Sequence, residues 1–376
     1  MITKQRIGLS PHDAARSDVL INLPSFSPIT HGMCQLDVQW DGDKVIAATP
    51  ILGSMHRGAE KLFESRDYRQ ILGLANRHEW LSAFSGEVGI AQLIERELGI
   101  DVPLKARWLR TLLLETYRIT SHLAFLAGFP WQDDSLTQRL RLLREPIVLH
   151  LRSYAGSRMH PMLTQIGGLT HAPASTWLTE LAAIVAKTQS DLEGLQKVFD
   201  LELTNFLEVG ILTQAAAIEH AVSGPVARAS GVAIDLRPTS QMLTYHLLEN
   251  YHSPTSAGGD ITARMQQLVT EVEISSLMVQ ECISVCAEQL GGEINVLIPK
   301  VLRVPEGEYE HSIETPLGIA SWLLISRGDK YPYRLKLRPA SLHTLLAISA
   351  VLPGSTEQLL APIVASMPFL SGDTDR

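Results

Sequence analysis

From Leu81 to Leu290 the apolar residues recur at helical spacing in long runs that no strand pattern interrupts. Leu109, Leu112, Leu113, Leu123 and Leu126 share one side of a helix predicted over Leu104 to Leu126, with Pro103 where it can start. Met265, Leu268, Val272, Met278, Cys282 and Val285 mark a longer one over Ile261 to Leu290, which Gly291-Gly292 can end in the left-handed conformation. Leu81 to Leu98, Leu136 to Ala155 (kinked at Pro146) and Thr176 to Leu203 read the same way, whereas Gly224 to Ser240 reads as irregular. Long helices without alternating strands pack as a bundle.

Strand patterns occur only at the two ends. Cys34, Leu36, Val38 and Trp40 alternate with polar residues, Asp41-Gly42 makes a turn, and Lys44 to Leu52 returns, which predicts a β-hairpin. After Pro305, Ala320 to Ser326 and Arg334 to Leu337 read as strands joined across Gly328-Asp329. The expected fold is therefore α+β and mainly α: a hairpin region over 1–55, a helical core over 56–300 and a β/α region over 301–376. Pro339 to Thr356 and Gln358 to Gly372 carry no charge, but Pro353, Pro362, Pro368 and His343 break them up, so they are expected to be packed core and not membrane spans. The first twenty residues show no signal-peptide pattern.

Composition removes several classes of function. At 45% hydrophobic residues the chain is not disordered, and three cysteines in 376 residues are no disulfide framework. A net charge of −8 argues against nucleic acid as a partner. There is no Gly-x-Gly-x-x-Gly, P-loop, His-Glu-x-x-His, Cys-x-x-Cys or Gly-x-Ser-x-Gly. Cys282 and Cys286 share a helix face and, like Cys34, read as core residues. A free-standing enzyme would need equipment that is missing here.

Polar residues do gather in three apolar settings. Ser27-Pro28-Ile29-Thr30-His31-Gly32 puts a histidine in a loop at a strand entrance, either as a proton donor or as a turn residue bonded to backbone. Gly53 to Lys61 puts His56 and Arg57 between two glycines and Glu60 just beyond the second, as a site or as a loop-to-helix junction. If Arg57 is buried it needs a carboxylate. Glu115 is a candidate, because Glu115, Arg118 and His122 recur along one helix face. Gly156-Ser157-Arg158-Met159-His160, followed by Ile166-Gly167-Gly168, reads as a helix end and a turn.

In this order the clusters resemble the D-subunit family of proton-pumping NADH-quinone oxidoreductase, respiratory complex I, a relative of the nickel-iron hydrogenase large subunit. Thr30-His31-Gly32 resembles the family's His-Pro-x-x-His-Gly loop, and Gly53 to Leu62 its Gly-x-x-His-Arg-Gly-x-Glu-Lys-Leu. Glu115, Arg118 and His122 resemble its Glu-x-x-Arg-x-x-x-His helix, and Gly156 to His160 its Gly-x-Arg-Met-His. Ser230-Gly231 with Asp235-Leu236-Arg237, Gly328 to Lys336, and the closing Gly372-Asp373-Thr374-Asp375-Arg376 resemble further family segments. The likeness is colinear over nearly the whole chain.

The resemblance implies a hydrogenase-like helix bundle with a quinone headgroup site. The chain itself binds no cofactor; electrons come from an iron-sulfur cluster on a partner subunit, membrane-arm subunits dock beside it, and the chain lies peripherally on the cytoplasmic face of the cell membrane. His31 is the implied quinone ligand and proton donor. The family's quinone-binding tyrosine falls at Trp80, its first loop histidine at Ser27, and the acid supporting the loop histidine near Gln132 and Asp133. An indole donates one hydrogen bond but is no phenolic acid. These departures motivate an alternative: a divergent paralogue with a structural or assembly role that no longer reduces quinone. His56, Arg57, Glu60, Glu115, Arg118 and Arg158 are expected to form a structural charge network. The hydrogenase relatives' paired Cys-x-x-Cys motifs are missing, and with them the thiolates a nickel-iron centre needs.

Overall fold

The computed structural model describes residues 2–288 and 291–375. The expected helix end at Leu290 and the closing Arg376 lie outside the described residues. The chain opens with β1 (Ile2–Gly8), β2 (Val19–Leu20), β3 (Gln35–Asp41) and β4 (Lys44–Ile51), ordered β2-β1-β3-β4 in one sheet. The hairpin β3-β4 stands where the alternation predicts it, with Gly42 at a positive φ of 62° in the turn. Antiparallel pairing adds β1 to its other edge, with Gln5 opposite Val38. β1 is mostly exposed and polar, so it carries no inward apolar row to betray it.

Helices follow: α1 (Ala59–Glu64), α2 (Tyr68–Ala75), α3 (Ala83–Glu97), α4 (Leu104–Ala127) and α5 (Asp134–Ala155). A short ribbon, β5 (Thr164–Gln165) and β6 (Gly168–Leu169), precedes α6 (Ser175–Glu193) and α7 (Gln196–Leu203). The single helix expected over Thr176 to Leu203 is thus two, broken at Gly194-Leu195 although the apolar spacing runs through the break. Short α8 (Gln214–Glu219) and α9 (Gly224–Ala229) lead through irregular backbone to α10 (Ile261–Glu288). The end holds an antiparallel sheet, β7 (Gly307–Thr315), β8 (Gly318–Ser326) and β9 (Arg334–Arg338), then α11 (Ala340–Leu346), α12 (Ile348–Val351), α13 (Glu357–Ala365) and α14 (Ser371–Thr374).

α4 and α10 form the middle of the bundle. α4 is buried on every side from Trp108 to Leu123, including Arg110, Glu115, Arg118 and His122. Charges in such a place must be paired, and they decide which helices can surround α4. The largest apolar cluster joins the N-terminal sheet, α4, α10 and the last helices. A smaller one seats α1, α2 and α3 against β8 and β9 through Phe63, Tyr68, Ile94, Trp322 and Leu337. The segments from Pro339 and Gln358 are the packed core expected of them: Leu345, Ile348, Leu352, Ile363, Met367 and Phe369 are buried. Among the described residues no helix is long and apolar enough to cross a membrane.

Candidate functional site

Five segments meet around a cavity of about 220 Å³. The loop before β3 supplies Phe26, Pro28 and His31; the turn before α3 supplies Trp80 and Leu81; α4 ends there with Ala124 and Ala127; α5 presents Arg141, Arg144 and Glu145; and Arg158 follows α5. His31 closes a single helical turn over Pro28–Thr30. Thr30 holds that turn by donating from Oγ1 to the carbonyl of Ser27 at 2.7 Å. The loop can sit on the end of α4 because residue 128 is glycine, where a Cβ would lie 2.8 Å from Ser27 Cα. Trp80 begins the turn before α3, and its indole meets the exposed imidazole of His31 edge to face, with ring centres 5.5 Å apart at 87°.

Arginines make up much of the remaining lining. Arg158 is held by Glu145 through two bonds, Nη1 to Oε1 at 2.6 Å and Nη2 to Oε2 at 2.5 Å. Arg141 lies over the Phe26 ring at 4.8 Å. Arg144 donates from Nε to the carbonyl of Thr120 at 2.9 Å. Three arginines against one glutamate make this a cationic wall in an acidic chain.

The structure brings His31, Trp80 and Arg158 to one cavity and leaves other expected residues outside it. Gln132 and Asp133 are not in the lining. Asp133 is taken up as the N-cap of α5, accepting from the Ser135 N–H at 2.8 Å and from Ser135 Oγ at 2.9 Å. The Gln132 N–H donates to Glu202 Oε2 at 2.8 Å. The expected Arg57–Glu115 pair does not form: His56 and Arg57 are exposed, while Glu115 is buried and draws its cations from Arg118 and Arg237. Glu60 works elsewhere, tying α1 to β9 through Arg334 at 2.7 Å and the Leu337 N–H at 3.2 Å. The expected single charge network is therefore several separate ones. Asp375 clamps the Gly53–Met55 loop, accepting from the N–H of Gly53 at 2.7 Å and of Met55 at 2.8 Å.

The sequence profile of the respiratory-chain NADH dehydrogenase 49-kDa subunit matches residues 137–301 and 293–376. A Streptomyces coelicolor protein, named as a D-type subunit of NADH-quinone oxidoreductase, is 41% identical, covering 96% of this chain and 96% of its own length. The chain belongs to this 49-kDa, or D-type, family. A Salinispora tropica protein of the same name is 40% identical over 96% of this chain and 94% of its own, and one from Campylobacter hominis is 31% identical over 96% and 95%. These alignments extend the match to nearly the whole chain. A chain in the solved structure of the membrane-bound sulfane sulfur reductase, an archaeal respiratory membrane complex, superposes with a TM-score of 0.85 at 26% identity, covering 91% of this chain and 94% of that one. As a member of the D-type family this chain is a component of an oxidoreductase complex.

The family helix Glu-x-x-Arg-x-x-x-His opens onto a buried network that spacing alone did not disclose. Glu115 accepts from Tyr245 Oη at 2.6 Å, Ser275 Oγ at 2.7 Å, Arg118 Nε at 3.1 Å and Arg237 Nη1 at 3.3 Å. Arg237 also pairs with Asp235 at 2.7 Å. Arg228 pairs with Glu271 at 2.8 Å and Glu314 at 2.9 Å, and Glu271 also meets His122 Nε2 at 3.0 Å. Burial pushes Glu271 up, but Arg228 and His122 outweigh it and hold the carboxyl well below its usual range. Burial keeps His122 on the neutral side, against the pull of Glu271. For Arg228 on α9 the signal was a lone charge in an apolar run; Glu271 on α10, with Thr270 before it and Glu273 two residues on, gave no such signal.

A second buried pair fixes the Gly167-Gly168 turn. Glu95 and Arg110 bond twice, at 2.7 and 2.8 Å. Glu95 also takes the Gly167 N–H, and Arg110 donates to the carbonyl of Gly168. The three cysteines are buried. Burial raises the Cys282 thiol well above its ordinary value and Cys286 to about 11, which fits core residues and not thiolate ligands.

Proposed function

We propose that this chain is the quinone-site subunit of a complex I-type NADH-quinone oxidoreductase. It passes electrons from an iron-sulfur cluster on a partner subunit to a quinone, in an assembly that couples the reaction to proton translocation. The observation that carries the reading is the meeting of His31 and Trp80 in one cavity, at the positions where the family has its quinone-binding histidine and tyrosine. At about 220 Å³ the cavity is smaller than the roughly 300–1,000 Å³ of sites for drug-sized ligands, which suits one headgroup ring with its tail leaving toward the membrane.

A quinone takes two electrons and two protons to become a quinol. In this reading His31 donates a hydrogen bond to one ring oxygen and passes it a proton, and solvent at its exposed edge reprotonates it. Trp80 is the wall against which the ring lies; its indole offers one N–H but no transferable proton. The chain sits peripherally, on the cytoplasmic face of the membrane, beside an iron-sulfur subunit and membrane-arm subunits. Its bundle is of the hydrogenase large-subunit kind without that protein's metal centre.

Purification of the tagged chain from its native membranes in mild detergent, with mass spectrometry of what accompanies it, tests the assembly. Iron-sulfur and membrane-arm subunits are expected in fixed ratio. Recovery of the chain alone from membranes that reduce quinone with NADH would overturn the reading.

A further inference from the structure

The cavity contains a donor that neither the motif resemblance nor the comparisons assign. Arg144 lies on α5, half-buried, with Nε spent on the Thr120 carbonyl at 2.9 Å. Its terminal nitrogens Nη1 and Nη2 form no hydrogen bond or ion pair among the described residues. The nearby carboxylate, Glu145, accepts from both terminal nitrogens of Arg158 and acts on Arg144 as a neighbouring charge, not as a hydrogen-bond partner. Arg141 is also occupied, lying over Phe26 and donating to Gln138 at 3.3 Å. Of the three arginines lining the cavity, only Arg144 has an anchored stem and an uncommitted charged end.

Burial, and then the like charge of Arg158, work against the Arg144 cation. Half-buried terminal nitrogens that lack an acceptor gain from any oxygen that enters the cavity. Trp80 cannot supply a charged donor: it stands where the family has a phenol, and an indole N–H is neutral and single.

We propose that Arg144 is the second oxygen-binding residue of this pocket, donating from its terminal nitrogens to the quinone oxygen across the ring from the one His31 holds. The proposal rests on the quinone-site reading above. It assigns Arg144 to binding and charge stabilisation, because a guanidinium does not give up its proton near neutral pH. Both protons of the quinol therefore reach the ring by way of His31 or solvent. Arg144 also tunes the choice of acceptor, favouring rings whose oxygens are strong acceptors or gain charge on reduction.

The test uses the purified membrane complex carrying Arg144→Gln or Arg144→Lys, with a short-tailed ubiquinone and a short-tailed menaquinone as probes. Loss of a charge-assisted hydrogen bond should raise the KM of Arg144→Gln about 10- to 100-fold, with a smaller change in kcat. Arg144→Lys should recover part of that loss. With the quinone carbonyls carbon-13 labelled one at a time, infrared difference spectra should show one carbonyl band moving in Arg144→Gln and the other in His31→Ala. Iron-sulfur signals at wild-type intensity confirm that each variant is assembled. If Arg144→Gln does not assemble, Arg144→Lys decides by the same band. An unchanged KM and an unmoved band in an assembled variant overturn the proposal. A wild-type complex that neither reduces quinone nor shows a bound carbonyl band overturns the quinone-site reading itself, and this proposal with it.

Discussion

His31 and Trp80 come from elements almost fifty residues apart and meet edge to face at 5.5 Å. The contact is made possible by two small features, the glycine at 128 that admits the His31 loop and the turn that starts at Trp80. In the proposed quinone site Trp80 contributes surface more than chemistry, so its variants should separate by aromaticity. Trp80→Tyr should keep quinone turnover within about threefold, and Trp80→Leu should raise the quinone KM by about two- to tenfold, the range of an aromatic pair contact. Steady-state kinetics on the assembled complex checks this. Equal KM values for the tyrosine and leucine variants would remove Trp80 from the site.

In the core, Glu271 joins Arg228 on one side to His122 on the other, all buried. Glu271→Gln leaves a buried cation short of its partner, and the chain should lose about 3–5 kcal/mol of stability. The pH dependence follows from the depressed carboxyl. Between its low folded value and the ordinary value of about 4.3 the unfolded chain binds the extra proton, so stability rises with pH across that window and is lost on acidification. The gap in thermal stability between wild type and variant should narrow progressively as the pH falls below about 4.3. A constant gap between the two would contradict the assignment.

Glu79, next to Trp80, is shifted the other way. Burial first, and then the neighbouring Asp373, raise its carboxyl well above the usual range. The folded chain keeps that proton where the unfolded one has released it, so this group's contribution is full below about pH 4.3 and is lost as pH rises toward the folded value. In Glu79→Gln the melting temperature should vary less between about pH 5 and 8 than in wild type, each unit of raised pKa corresponding to about 1.4 kcal/mol. Parallel profiles would place Glu79 outside this account.

Asp375 binds the exposed Gly53–Met55 loop to the C-terminus. Asp375→Ala removes both acceptors at once, and each charge-assisted bond is worth about 1.5–3 kcal/mol. Hydrogen exchange at residues 53 to 56 should speed up strongly while the α4 core keeps its protection. Unaltered exchange in that loop would show that the clamp does not hold it.

The fold was legible where one face of an element is apolar. The β3-β4 hairpin announces itself by strict alternation, and α4 and α10 by spacing. β1 and all of β7 were missed because polar residues fill most of both their faces. The break between α6 and α7 was hidden because Leu192, Leu195 and Phe199 keep the helical period across it.

The site was legible only in part, and for a related reason. His31 stood out as a loop histidine at a strand entrance, whereas Trp80 followed only from the ordered motifs. Arg144 lies in Arg-Leu-Leu-Arg-Glu, which on a helix reads as a solvated face. Arg228 meets Glu271 across 43 residues and Glu314 across 86. No window along the chain spans such a pair; only the packing of α9, α10 and β7 brings them together. The supposed Arg57–Glu115 pair failed for the converse reason, since nearness in a list of charges says nothing about which of them the core encloses.

The measurement that bears most directly on the central claim is inhibitor-sensitive NADH-to-quinone turnover of the purified complex with His31 or with His31→Ala. The account predicts turnover in the wild type and its loss by at least about 100-fold in the variant, the range for a general acid, with the iron-sulfur clusters still reduced by NADH. Turnover undiminished in an assembled His31→Ala complex would contradict it.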